Sequence, residues 1–521
     1  MGDPTDLDSV RLAELVGALS LGIDLGFGQP MEHVLRQCWI ALRLADQVGL
    51  DEDQRSVVYY TALLTNVGCH TDAHEQAKWF GDDIEMKSDK YAYGLHGVRS
   101  AVAGLRKIGA GQPALQRFRV GLNFALSGHR DIDGMINRHS AMARALAVEI
   151  GLPASVQDAV AASYEQWDGK GWPGQLAGEA VPVAARVSQL AEFVEVAHRT
   201  GGVDAAVALA RKLSGSQFDP TVAARFVAAA GDILDGLGTS TAWDEVIAAD
   251  PVLGRILHGE AFDDALAAVA DFVDLKSPYT LGHARAVTQL VDLAGVEVGL
   301  TGESHATLRR AGLAHGLGRL GVSNAIWDKP GPLGTGEWER VRLQPYLTER
   351  MLQRSPALEA IGAVAGQLRE RMDGSGYPRG LSGAAITLSG RVLAAADVYQ
   401  AMLEPRPYRA ARGPEQAARE LRSEVREGRI DGDAAEAVLV AAGHRAKARR
   451  ERPAGLTARE VDVLQLVARG MSSKDIAKEL VISPKTARNH IEHIYVKTGA
   501  SSRVEASLFA IKQGLLEPTP T

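Results

Sequence analysis

Cysteine is nearly absent from this 521-residue chain. Its two residues, Cys38 and Cys69, exclude a disulfide framework. With no basic-then-apolar leader at the start, they point to a reducing cytoplasm. Long apolar runs are lacking too: none reaches the roughly 18 uncharged residues that a membrane span needs, so no membrane partner is expected. Strand-like alternation is scarce. What is there is 46% hydrophobic and 23% charged, an ordinary globular composition with length for about three domains. Runs such as VRLAELVGALSLGI, HVLRQCWIALRLADQVGL and SAMARALAVEIG place apolar residues three and four apart, which predicts helix after helix.

The net charge of -7 hides an asymmetry. From Arg445 onward there are 14 Lys and Arg against 8 Asp and Glu, a surplus of +6 that leaves -13 for everything before it. A basic tail on an acidic body suits a polyanionic partner for the tail.

The body repeats itself. DGKGWP at Asp168 returns as DGSGYP at Asp373, 205 positions on, and Arg186 pairs with Arg391 at the same offset. Upstream the offset is 250: Asp24 with Asp274, His33 with His283, LLTNVG with LAHGLG. Fixed offsets over several motifs mark an internal duplication. The change of offset gives the first copy about 45 extra residues, which belong in a loop or added element. Within that insert, 69–130, Cys69, His70, Asp72 and His74 are close enough for metal ligation but read better as a polar loop, and LQRFRVGLNFAL reads as helix. SQFDP at 216 and GRIDGDAA at 428 read as matching helix starts. In the DGxGxP loops the glycines permit tight turns, Pro fixes the exit, and Asp168 and Asp373 are expected to cap or brace them.

The last 65 or so residues write out four helix starts. Thr457 with Glu460, Ser472 with Asp475 and Ser502 with Glu505 are capping boxes, and Ser483 precedes Pro484. Gly470 and Gly499 sit where helices end, and Ile482, Ile491, Ile494 and Val504 fall at packing positions. A short helix, a tight turn and a longer basic helix form a helix-turn-helix. Along its whole length LTAREVDVLQLVARGMSSKDIAKELVISPKTARNHIEHIYVKTGASSRVEA resembles the LuxR/NarL-type DNA-binding domain. That resemblance implies base-edge contacts from Arg488, Asn489 and Glu492, phosphate contacts from Lys485, Thr486 and Lys497, and a homodimer formed through the last helix on a two-half-site double-stranded DNA operator.

In the second copy, DLKSPYTLGHARAV, LAHGLGRLGVSNAIWDKPGPL, RERMDGSGYPRGLSG and RVLAAADVYQAM resemble the HD-GYP family, whose members are all-helical, metal-dependent phosphodiesterases of cyclic di-GMP. The resemblance implies a cluster of His and Asp holding two or three metal ions. Carried over residue by residue, His283, His315 and Asp397 are present. The bridging Asp is Gly316, a further His is Gln344, the adjacent His pair is Leu368 and Arg369, and the Lys after the His-Asp pair is Arg319. The first copy keeps His33, His139 and Glu192, with Thr65-Asn66 and Ser163-Tyr164 at the lost positions. Each copy thus holds at most one metal ion, on two His and one carboxylate, or keeps them as hydrogen-bonded core groups. No catalytic residue is assigned.

The expectation is an all-α chain: two degenerate HD-GYP-like helical domains in tandem, 1–235 and 258–442, joined by a polar interval at 236–257, then a basic linker at 443–453 and a four-helix LuxR-type domain at 454–521. The function expected is a cytoplasmic transcription regulator whose body senses a small-molecule effector, a cyclic dinucleotide or another, or serves only for dimerisation. The competing reading is a metal-dependent cyclic di-GMP phosphodiesterase, or another phosphohydrolase, with a DNA-binding tail.

Overall fold

Apolar residues three and four apart close into helices throughout the described residues. The computed structural model describes residues 7–93, 108, 120, 129–237, 241–250, 254–444, 453–480, 482–513 and 515, and among these the strands are two of three residues each, Ser9–Arg11 and Ile256–His258. They pair antiparallel, Val10 opposite Leu257. The fold is all-α. No helix among the described residues is long and apolar enough to cross a membrane. The chain divides into two compact units, Met1–Arg445 and Ala446–Thr521.

Both copies lie inside the first unit, and the described helix of the interval between them packs into its core. The helix Ala242–Ala248 buries Trp243, Val246 and Ile247, three residues that share one helical face. A Cβ on Gly17 would stand 3.0 Å from the Trp243 ring. The polar residues around this helix suggested a tether, whereas its spacing-three and spacing-four apolar residues make it a packed element.

Equivalent contacts recur in the two copies. Asp24 Oδ1 accepts from Val34 N at 3.0 Å, and Asp274 Oδ2 from Ala284 N at 2.8 Å. Arg186 pairs with Asp219, and Arg391 with Asp431. Both aspartates also cap a helix, Pro220–Leu234 and Gly432–Ala441, as SQFDP and GRIDGDAA suggested. Gly68 and Gly318 allow backbone to touch backbone: a Cβ would lie 2.1 Å from the His139 carbonyl oxygen in one and 2.0 Å from that of Gln344 in the other.

The DGxGxP loops are held from both sides. Asp168 and Asp373 cap their own turns, accepting from Lys170 N at 3.1 Å and Ser375 N at 2.9 Å. The stronger braces are the buried Glu165 and Glu370. Glu165 accepts from the amides of Gly174, Gln175 and Leu176, and Glu370 from those of Arg379 and Leu381.

The described part of the insert is not a loop. Val67–His70 is a short 3-10 turn, followed by the helices Ala73–Phe80 and Asp83–Tyr93. Cys69, His70 and Asp72 are buried, which corrects the polar-loop reading. His70 Nε2 reaches the Phe272 carbonyl at 2.7 Å. Asp83 is fully buried against the second copy, accepting from Ser323 Oγ and Asn324 N at 2.8 Å each, with Lys87 and Lys276 at 3.0 and 3.3 Å. The expected helix LQRFRVGLNFAL lies, apart from Val120, outside the described residues.

The second unit has the four helices its caps announced: Ala458–Ala468, Ser473–Glu479, Pro484–Thr498 and Arg503–Lys512. Thr457, Ser472 and Ser483 accept from Glu460, Asp475 and Thr486 amides, and Gly499 closes the third helix at φ 69°. Ile494 is buried, but Val504 is 68% exposed. Its place in the core is taken by Ala506 and Ala510.

Candidate functional site

Three helices bring the second copy's remaining ligands together. Gly282, left-handed at φ 73°, turns the chain into the helix His283–Glu297, so that His283 opens it. His315 closes the helix Gly302–Ala314. Asp397 sits inside Leu388–Leu403, whose start Thr387 caps by accepting from Gly390 N. One atom from each of the three lies within 4.8 Å of the others, and all three residues are buried. His283 Nε2 is 3.2 Å and His315 Nε2 3.8 Å from Asp397 Oδ1, with the imidazole rings 5.3 Å apart.

The protonation of the group follows from its surroundings. His315 Nδ1 bonds the Gly312 carbonyl at 2.7 Å, which leaves the Nε2 lone pair open toward Asp397. Burial pushes its pKa down to about 3, so it is neutral at pH 7. Burial opposes ionisation of Asp397 as well, but Arg369 and the two histidines hold its carboxyl well below the usual carboxylate range. His283 Nδ1 meets Glu404 at 2.9 Å, and Glu404 is held in turn by Arg406 at 2.8 Å. Sequence reasoning missed these two residues, which follow the helix in the run EPRPYR.

The positions that break the ligand pattern have taken other work. Gln344 Nε2 donates to the His315 carbonyl at 2.7 Å. Leu368 is wholly buried in the core. Arg369 Nη1 lies 2.8 Å from Asp397 Oδ2. A Cβ on Gly316 would meet nothing nearer than Val273 Cγ1 at 3.7 Å and Asp274 Oδ1 at 4.0 Å, so a carboxylate is missing there for want of a side chain, not of space. Among the described residues the group offers three donors, which suit one ion rather than a bridged pair, and Asp397's second oxygen already faces a guanidinium.

Beside the group opens a cavity of about 690 Å3. Its cations are Lys276, Arg319, Lys329, Arg369, Arg406 and Arg409, against the single carboxylate of Asp328. Trp327, Trp338, Tyr377 and Tyr408 supply aromatic wall. The insert buttresses one side: His74 Nδ1 reaches Asp328 at 2.8 Å, and Asp83 holds Lys276 and Asn324.

His33, His139 and Glu192 do not form a second such group; among the described residues only the second copy has one. His33 Nδ1 is 2.5 Å from Glu195. Glu192 accepts from Asn66 at 2.7 Å, and His139 pairs with Asp72 at 2.8 Å. Burial alone would lower the His139 pKa, but Cys69 and Asp72 outweigh it and raise the value to about 9. Tyr164, at a lost His position, bonds Cys69 Sγ at 2.7 Å and Asn66 at 3.3 Å. A polar network thus fills the first copy.

On the second unit, Lys485, Thr486, Arg488, Asn489, Glu492 and Lys497 all lie exposed on the helix Pro484–Thr498. Lys497 is not free: its ammonium reaches Glu460 at 2.7 Å and the Gly455 carbonyl at 3.3 Å. Thr486 shares a 2.8 Å bond with Ser483 Oγ at the helix start.

An all-helical body with a His-His-Asp group, carrying a helix-turn-helix tail, defines the class: an HD-type phosphohydrolase-like fold joined to a LuxR-type helix-turn-helix domain. The HD domain family matches residues 130–222 and 267–434, the bacterial regulatory proteins of the luxR family match 454–510, and the chain belongs to the HD-domain family with a luxR-family tail. Over 406 residues, 77% of this chain and 88% of the relative, it is 30% identical to the 3'3'-cGAMP-specific phosphodiesterase 3 of Vibrio cholerae. It is 36% identical over 171 residues to phosphodiesterase 1 of the same name and organism, covering 33% of this chain and 40% of that one. A crystal structure of a cyclic GMP-AMP specific phosphodiesterase of V. cholerae superposes with a TM-score of 0.58 at 26% identity, over 84% of this chain and 98% of that one.

Proposed function

We propose that the chain is a DNA-binding transcription regulator of LuxR type whose HD-type body binds a cyclic dinucleotide, without hydrolysing it, in the cavity beside Asp397. One observation carries this reading: the cavity persists with six cationic side chains around it, while the metal-ligand pattern is interrupted at Gly316, Gln344, Leu368 and Arg369. The relatives named for 3'3'-cGAMP supply the ligand class. In the tail, Arg488, Asn489 and Glu492 read base edges while Lys485 and Thr486 contact phosphates. Lys497, tied to Glu460, positions the recognition helix from within. The homodimer forms through Arg503–Lys512, where Val504 and Leu508, four apart, are 68% and 49% exposed. Ligand binding regulates DNA binding insofar as it favours one arrangement of the body over another.

The first test is a hydrolysis assay on the full-length chain with 3'3'-cGAMP and added Mn2+ or Fe2+. The regulator reading expects intact ligand after prolonged incubation. A second reading, a metal-dependent phosphodiesterase with a DNA-binding tail, is favoured by the clustering of His283, His315 and Asp397. Multiple turnover abolished by His315→Ala would put that reading in its place.

A further inference from the structure

Asp397 already has a cation. Its Oδ2 lies 2.8 Å from Nη1 of Arg369, the residue standing at the second position of the adjacent His pair. A metal ion on His283, His315 and Asp397 would share that carboxylate with the guanidinium and be repelled by it. The second guanidinium, Arg319, is 8% exposed, and its Nη1 has no hydrogen-bond partner, Asp274 Oδ1 being 3.9 Å away. Both guanidiniums line the cavity of about 690 Å3.

The cavity's other cations are committed. Lys276 is held by Asp83, Lys329 by Glu337 and Arg406 by Glu404, while Arg409 donates to the carbonyls of Ala401, Met402 and Glu404. Arg319 keeps a buried N–H to give, at a site where an unmet donor is costly.

The geometry points to a metal-independent phosphodiester site in which Arg369 stands against Asp397 where a metal ion would, and Arg369 and Arg319 together hold a phosphate of a cyclic dinucleotide. This rests on the reading of the body as a cyclic-dinucleotide binder and says how it binds. A guanidinium presents paired N–H groups that match two phosphate oxygens. It activates no water, so the ligand stays intact. Trp327, Trp338, Tyr377 and Tyr408, which also line the cavity, offer stacking faces that a ring system fills and a bare phosphate does not.

The test is calorimetric titration of the full-length chain with 3'3'-cGAMP, once in EDTA and once with Mn2+. The site predicts the same affinity in both buffers, and a loss of roughly tenfold or more in Arg369→Met and in Arg319→Met. Arg369→Lys, which keeps the charge and loses the fork, falls between. If Arg369→Met fails to fold, as a thermal melt would show, Arg319→Met carries the test, because its Nη1 has no hydrogen bond to lose. Binding seen only with Mn2+ overturns the metal-independent site and leaves the body a cyclic-dinucleotide binder. Binding in EDTA that the methionine variants leave unchanged overturns the assignment to these arginines. No binding by the wild type in either buffer overturns both this inference and the functional reading beneath it.

Discussion

Asp24 is fully buried, and burial above all pushes its carboxyl up to about 7, although His33, the Val34 amide and Arg36 act the other way. The unfolded value is near 3.8. Between those values the folded chain binds a proton that the unfolded chain does not, so this group's contribution to stability falls as pH rises through the window and is gone above it. Three units correspond to at most about 4 kcal/mol. Asp24→Asn keeps an acceptor for Val34 N. Its thermal melts should show it more stable than the wild type at pH 8 and nearly equal at pH 4; equal stability at both would contradict the burial argument. Residues of this kind are legible in sequence only as pairs. The offset linked Asp24 to Asp274, but their depth, and the two glutamates that brace the loops, depend on what packs around them. Leu368 and Arg369 were legible as breaks in a ligand pattern, and the structure adds what each does instead.

Helices whose signals are local are legible in the sequence, and those whose partners lie far along the chain are not. Thr457, Ser472 and Ser483 fix their helix starts through bonds three residues away, so the tail's elements could be placed from sequence. The insert's helices answer to partners far along the chain, Asp83 to Asn324 and His74 to Asp328, and no local pattern announces that. The spacing of Val504 suits a core position, yet Ala506 and Ala510 take the buried face. Where the 3-10 turn Leu317–Gly321 touches the helix Gln344–Leu352, a Cβ on Gly318 would collide with the Gln344 carbonyl oxygen. Gly318→Ala should therefore destabilise the body by about 3 kcal/mol or more in denaturant unfolding; a change below about 1 kcal/mol would show that the turn can yield. On the recognition helix, Arg488→Ala should weaken specific operator binding by roughly 1 to 3 kcal/mol and relax one base position. Unchanged affinity in a gel-shift titration would remove it from the base-reading face.

At the scale of the whole molecule, the first unit packs both HD-like copies into one core, with the paired strands Ser9–Arg11 and Ile256–His258 and the helix Ala242–Ala248 part of it. The halves have gone different ways. In the first, Asn66, Tyr164 and Cys69 close the polar centre with hydrogen bonds; in the second, a guanidinium faces the last carboxylate and a cavity stays open beside it. Under the proposed function, ligand in this cavity governs the tail. It is tested most directly by titrating the full-length chain onto an operator, obtained by selection from random DNA, with and without 3'3'-cGAMP, and recovering the nucleotide afterwards. The expected result is a shift in operator affinity of roughly fivefold or more, the usual scale of coupling between sites, with the cyclic dinucleotide recovered intact. An unchanged affinity, or ligand recovered as linear product over many turnovers, would contradict it.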